Sequence, residues 1–170
     1  TLMCSVPRFF FFFYAGAQEK ISQGTGLRKA LLLASIKVGR THNIDYLRQG
    51  KTPPMMLHLK YKFYEKTIYA LLKKTIGIEN GNFFPTAGAA VPDEICEFVH
   101  SVGINMVVGY GLTESTATVS CFLNEGYEIG SVGTVMPDVE VKIGENNEIL
   151  LRGKTITTGY YKKPEATAAA

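Results

Sequence analysis

With 170 residues, 46% hydrophobic content and a mean hydropathy of +0.06, the chain is long enough for one ordinary core and too apolar for a disordered segment. Its net charge of +3 hides an asymmetry: residues 1–80 hold 13 Lys or Arg against 4 Asp or Glu, and residues 81–170 hold 5 against 11, so the halves carry +9 and −6. No apolar run approaches the ~20 residues of a membrane span, and no basic, apolar and small-residue leader opens the chain, which leaves membrane-spanning and secreted classes without support.

A basic half can face anionic lipid, nucleic acid or an acidic substrate, pair with an acidic half, or simply keep helices soluble, and the last is commonest. Cys4, Cys96 and Cys121 are odd in number and outside any metal or redox spacing, so they are expected to be reduced, cytosolic and mostly buried. His42, His58 and His100 are equally scattered, without a second ligand at a metal-binding interval, and are expected to be structural.

In chain order, Val6-Pro7-Arg8 leads into five consecutive phenylalanines, residues 9–13, a run that no amphipathic element requires. From about 15 to 76 the apolar period is helical: Leu27, Leu31, Ala34 and Val38 form one stripe, and Leu57, Tyr61, Tyr64, Ile68 and Leu71 a second. Gly24, Gly26 and Lys51-Thr52-Pro53-Pro54 supply the breaks. Ser22-Gln23-Gly24-Thr25-Gly26 joins two helical stretches and lacks glycine-lysine spacing, so it reads as a turn and not a phosphate loop. Lys62, Lys66 and Lys73 fall on another face from the second stripe, as on a solvated surface helix or, alternatively, a membrane-surface helix.

Beyond residue 80 the pattern becomes α/β. Asn82-Phe83-Phe84 reads as a short strand into a loop at Gly88. Pro92 opens a helix with Ile95, Phe98, Val99 and Val102 on one face and Gly103 as its stop. Residues 104–108 read as a buried strand. Strand, helix and strand predict two parallel strands with a right-handed crossover, and both glycine loops then open at one sheet edge, where ligands collect. Val139, Val141 and Ile143, a turn at Glu145-Asn146-Asn147, then Ile149 and Leu151 predict a hairpin.

Val108-Gly109-Tyr110-Gly111-Leu112-Thr113-Glu114-Ser115 places a ring, flexible backbone, a hydroxyl and a carboxylate directly after a strand, as a nucleotide-binding turn requires. Taken alone it is also an ordinary strand-to-loop turn. Together with Pro85-Thr86-Ala87-Gly88-Ala89-Ala90-Val91-Pro92 upstream and Gly153-Lys154-Thr155 through Gly159-Tyr160-Tyr161 and Pro164-Glu165-Ala166-Thr167 downstream, it resembles the adenylate-forming (AMP-binding) superfamily. Among its members the resemblance is best to long-chain acyl-CoA synthetases.

That resemblance implies an α/β piece of the large N-terminal domain of an adenylate-forming enzyme. It divides into a helical segment (1–80), an α/β nucleotide-binding segment (81–138) and a β segment (139–170), together one partial domain. It implies ATP or AMP, magnesium and coenzyme A as cofactors and co-substrates, and a long-chain fatty acid as the acid activated. By resemblance Tyr110 stacks on adenine, Gly88, Ala89 and Ala90 form the opposite wall, and Gly111 and Leu112 complete the turn. Thr113 contacts the α-phosphate and Glu114 holds magnesium, the two catalytic assignments. Asn147 stands where the family usually has Gly, a change at a turn tip, and the block around Tyr160 reads as scaffold with a small share in shaping the site, not as catalytic.

The family's phosphate loop with its lysine, its Tyr-Arg-Thr-Gly-Asp ribose block and its mobile C-terminal domain are not matched here. The 170 residues alone are therefore expected to be inactive and to depend on the remainder of a parent chain. A cytoplasmic enzyme is expected, peripheral at the inner membrane face if the basic helices dock there, with no nucleic-acid partner. Two alternatives remain: an adenylating enzyme for another carboxylic acid, and a non-catalytic membrane-surface module.

Overall fold

The structure, a computed structural model, describes residues 2–122 and 127–170. Helix α1 spans Pro7–Gln23, and proline suits its start because its ring pre-sets the helical φ and its missing N–H is not needed there. Helical geometry sorts the phenylalanine run: Phe10 and Phe13 are buried, in line with Ala17 and Ile21, while Phe11 and Phe12 face outward. The helical region thus begins at Pro7, earlier than the sequence period suggested. Helix α2 (Gly26–Arg40) follows after the expected turn, then a π-helical turn at Thr41–Tyr46. Helix α3 (Met55–Tyr64) runs through a second π-helical turn, Glu65–Tyr69, into α4 (Ala70–Thr75).

The face of α2 differs from the expected one. Leu27, Leu31 and Ala34 are exposed and Val38 is half-buried, whereas Ser35 and Gly39 are the buried residues. The cause is close approach of backbones. A Cβ at Gly39 would overlap the Ser101 carbonyl, and the fully buried Tyr69 donates its hydroxyl to the Ser35 carbonyl at 2.6 Å. Two small residues one turn apart admit a neighbouring helix where leucines could not. The second stripe holds better, with Tyr61 buried and Leu57, Tyr64 and Ile68 half-buried, although Leu71 is exposed.

Helix α5 (Asp93–Ser101) is the hub, packing on both α1 and α2 and burying Ile95, Phe98 and Val99. Strand β1 (Phe84–Thr86) pairs in parallel with the wholly buried β2 (Met106–Val108), in the register Phe84 to Met106. On the other side of β1 the chain's own start adds a further parallel edge that the sequence did not suggest. Leu2 and Ser5 bridge to Phe83 and Thr86, and the Ser5 and Thr86 hydroxyls lie 2.6 Å apart. Three chain segments therefore end at one edge: residues 2–5 running into α1, β1 into the Gly88 loop, and β2 into the Tyr110 turn.

Strands β3 (Ser120–Cys121) and β4 (Thr134–Val135) pair antiparallel. Strands β5 (Val139–Ile143) and β6 (Ile149–Gly153) form the expected hairpin around the turn at Glu145–Asn147. A short helix, α6 (Pro164–Ala169), closes the described chain.

Two smaller expectations are corrected, those for the cysteines and for Lys73. Cys4 is exposed, Cys96 is buried and Cys121 half-buried, all three free. Lys73 is not on a solvated face: half-buried, it donates to the Gly103 carbonyl at 2.6 Å, and desolvation holds its ammonium below the usual lysine range. His42 and His58, far apart in sequence, meet with ring nitrogens 3.0 Å apart. His42 also stacks on Tyr61 at 3.9 Å, and among the described residues no group of three or more ligating side chains gathers around a point.

Candidate active site

The turn after β2 is shaped almost entirely by its own backbone. Gly109 donates to the Thr86 carbonyl at 2.9 Å, tying the end of β2 to the end of β1. Tyr110 then pairs with Ser120 in both directions, so residues 110–120 form a loop closed at its neck. Inside it Thr113–Ser115 makes one 3₁₀ turn. Ser115, fully buried, accepts from the Leu112 N–H at 2.9 Å, and its hydroxyl lies 3.0 Å from the Leu112 carbonyl. That carbonyl also accepts from the Ala117 N–H at 3.1 Å. Gly111 is required sterically, because a Cβ there would overlap the Ala117 carbonyl oxygen.

Thr116 and Ala117 both sit at positive φ, 54° and 77°. Left-handed backbone costs a residue with a Cβ about 1 kcal/mol or more, and such strain persists only where the surroundings over-determine it. Here the Ser115 brace and the Tyr110 to Ser120 neck supply that constraint. The consequence is a tip on which Thr113 is exposed and Glu114 only partly covered.

A third segment docks on this tip. Thr157 N–H donates to the Glu114 carbonyl at 2.7 Å, Thr116 Oγ1 donates to the Thr155 carbonyl at 2.7 Å, and the Tyr160 hydroxyl donates to Glu114 Oε1 at 2.7 Å. The Tyr160 bond, with help from Glu114's own backbone, holds the Glu114 carboxyl below the usual glutamate range, and the same bond raises the Tyr160 phenol. Ser115, Thr157 and Tyr160 were not picked out by sequence reasoning as site residues. The signal for Ser115 was a hydroxyl three residues after Leu112 in a turn; Tyr160 stood within the downstream block of the resemblance, but nothing tied it to Glu114, 46 positions away.

At the neighbouring strand end, Gly88 takes φ of 96° and the loop Ala87, Gly88, Ala89, Ala90 is exposed. Ala87, Gly88 and Ala89 join Val6, Pro7, Arg8 and Phe11 in lining a cavity of about 350 Å³. The structure therefore brings Gly88 and Ala89 together with the start of α1, and sets their loop on the strand adjacent to the one that delivers Tyr110.

An exposed strand-end turn with one hydroxyl and one carboxylate is generic chemistry until the whole sequence is compared with known proteins. The pattern of the family described as "AMP-binding enzyme" matches residues 1–161. The chain belongs to the AMP-binding enzyme family. Among curated relatives, Probable acyl-activating enzyme 16, chloroplastic, of Arabidopsis thaliana is 29% identical over 199 residues, covering 97% of this chain and 27% of that protein. Long-chain-fatty-acid--CoA ligase FadD15 of Mycobacterium bovis is 27% identical over 170 residues, covering 100% of this chain and 28% of that one. The chain thus spans little more than a quarter of the length of these relatives. Among solved structures, the anthranilate CoA ligase AuaEII in complex with anthranoyl-AMP is 18% identical, covers 55% of this chain and 20% of that chain, and superposes with a TM-score of 0.50, a likeness of fold. The α/β architecture is that of an adenylate-forming enzyme, as the sequence suggested, while the acid these family members activate is not uniform.

Proposed function

We propose that the protein to which this segment belongs is an ATP-dependent ligase that activates a long-chain fatty acid as its acyl-adenylate and then passes the acyl group to coenzyme A. In the first half-reaction a carboxylate oxygen attacks the α-phosphorus of ATP while the bond to pyrophosphate breaks. In the second, a thiol sulfur attacks the acyl carbon and AMP leaves. Both steps move negative charge across phosphate oxygens, so donors fixed where that charge gathers accelerate them most.

Within the proposal Thr113, exposed at the tip, offers a hydroxyl to the α-phosphate, and Glu114 is the magnesium carboxylate. The donor set suits that ion: one accessible carboxylate with one oxygen held by Tyr160 resembles the sparse protein ligation of a magnesium that keeps its waters and takes the rest from phosphate. The ion, when bound, neutralises phosphate charge. Tyr110 stacks on the purine, with Gly111 and Leu112 as the adjoining backbone, and Gly88, Ala89 and Ala90 form the facing wall. The three segments 1–80, 81–138 and 139–170 act as parts of one partial domain.

The observation that carries the reading is the braced turn itself, which leaves Thr113 and Glu114 presented at the C-terminal end of a parallel strand. The long-chain assignment draws on the apolar cavity beside Gly88, walled by Val6, Pro7 and Phe11, where an acyl chain can leave the phosphate region. Free cysteines fit a reducing, cytoplasmic setting. A membrane-docking role draws no support from Lys62, which pairs with Glu65, or from Lys73, which is tied to Gly103.

The test is acid-dependent ATP–pyrophosphate exchange by the full-length protein across carboxylic acids of graded length. Exchange that rises with chain length is expected. A preference for short or aromatic acids would move the protein to another branch of the family, and no exchange with any acid would remove the ligase reading.

A further inference from the structure

At the opposite edge of the parallel pair lies a cavity of about 650 Å³, with both apolar and polar walls, that the adenylation reading does not use. It adjoins Gly103, Ile104 and Asn105, the residues that lead into β2. The Tyr110 turn leaves β2 at its other end, on the order of 10 Å away along the strand. Its polar wall is made by Asn43, Arg48, Tyr61, His100, Asn105 and Tyr127.

Arg48 is the unusual member. Its guanidinium lies over the Tyr127 ring at 4.3 Å, yet among the described residues it takes part in no ion pair and its Nη1, shielded from water, has no partner. Arg40, one helical stretch earlier, shows the ordinary arrangement, bonded to both Asp45 and Glu97. A desolvated guanidinium N–H without an acceptor is costly, and in native proteins a bound water or an anion commonly fills such a gap.

His100 lines the same cavity. Its ring stacks on the same Tyr127 at 4.9 Å, and its Nε2 is likewise buried without a partner. Burial, and then the Arg48 charge, press its pKa down to about 3, so the ring is neutral near pH 7. The neutral ring carries one proton, and in the tautomer that places it on Nδ1 the unpartnered Nε2 is an acceptor. Asn43 is already committed, donating to the Tyr61 hydroxyl and the His100 carbonyl. The open valences are therefore a cationic donor and a neutral acceptor, each packed against the Tyr127 ring in the same cavity.

We propose that this cavity is a second oxyanion site, selective for hydrogen phosphate. Arg48 supplies the charge and the N–H donors. His100 Nε2 receives the proton of the P–OH group, which a fully deprotonated oxyanion lacks. The cavity is roomier than one phosphate, so the anion shares it with water and remains exchangeable.

The experiment is calorimetric titration of the full-length protein with inorganic phosphate near pH 7, at constant ionic strength and with AMP present to fill the nucleotide turn. Saturable binding is expected, weakened roughly tenfold or more in Arg48→Gln, since a charge-assisted bond is lost. Sulfate, of like size and charge but without a proton to donate, is expected to bind about tenfold more weakly than phosphate. Should Arg48→Gln fail to fold, Asn105→Asp, at a partly exposed position on the same wall, sets a negative charge there and is expected to weaken phosphate similarly. No saturable binding, undiminished binding in whichever variant folds, or sulfate binding as tightly as phosphate would each overturn the proposal.

Discussion

The α2 to α5 contact and the turn at residues 110–117 both depend on a glycine, for different physical reasons. At Gly39 the glycine is a hole: two helices approach so closely that any side chain would meet the Ser101 carbonyl. At Gly111 it is one part of a hydrogen-bonded loop in which the Ser115 hydroxyl, the Leu112 carbonyl and a tight pass beneath Ala117 fix the path together. The first region is held by packing and the second by directed bonds. The first should therefore answer to volume, and the second to the removal of single polar atoms.

The largest effect is expected at the helical contact. Gly39→Leu should destabilise the protein by about 3 kcal/mol, the upper end for forcing atoms into a packed core, read as a lower denaturant midpoint in the full-length protein. A midpoint within experimental error of wild type would show that α2 and α5 are not in close contact. Next comes the turn: Ser115→Ala should cost about 1–3 kcal/mol by stranding the buried Leu112 N–H, while Ser115→Cys, of similar size, should restore little because its sulfur is a weak acceptor. Equal stability of all three would remove the brace.

A smaller, pH-dependent effect distinguishes the buried imidazoles from the exposed tip. The His100 pKa is depressed to about 3 from an ordinary 6.5, and His42 is lowered as well, chiefly by desolvation. Between pH 6.5 and 3 the unfolded chain binds more protons at these groups than the folded one does, so stability is full above pH 6.5 and declines as pH falls through that window. Urea midpoints measured from pH 7.5 to 4.5 should fall, and His100→Gln should flatten the slope. A slope unchanged by that substitution would contradict the burial of His100. The smallest effect is expected at the tip. Tyr160→Phe should leave the melting temperature unchanged and raise the Glu114 carboxyl pKa toward its ordinary value, a shift visible by carboxyl NMR; no upward shift would mean that the Tyr160 contact is not made.

How far each region could be read in advance follows from the same contrast. Helix α5 was legible because its apolar stripe, its opening proline and its closing Gly103 all agree, and the β5–β6 hairpin because alternation brackets an Asn-rich turn. The α2 face was not, since the apolar period points to leucines at 27 and 31 while the contact is made by Ser35 and Gly39, which carry no hydropathy signal. Residues 2–5 are too short to show alternation, so their pairing beside β1 was invisible. In the site, Tyr110, Thr113 and Glu114 stood out because side-chain chemistry follows a strand. Ser115 and Tyr160 did not, because their roles arise only when the chain folds back: one braces from beneath, and the other arrives from 46 residues away.

The proposed presentation of Glu114 by the braced turn for adenylation chemistry is probed by acid-dependent ATP–pyrophosphate exchange in the full-length protein carrying Glu114→Ala. A loss of about 10²–10³ in exchange rate is expected, the range for removing one well-placed electrostatic group from a developing charge, with Tyr160→Phe losing much less. Exchange by Glu114→Ala at the wild-type rate would contradict it.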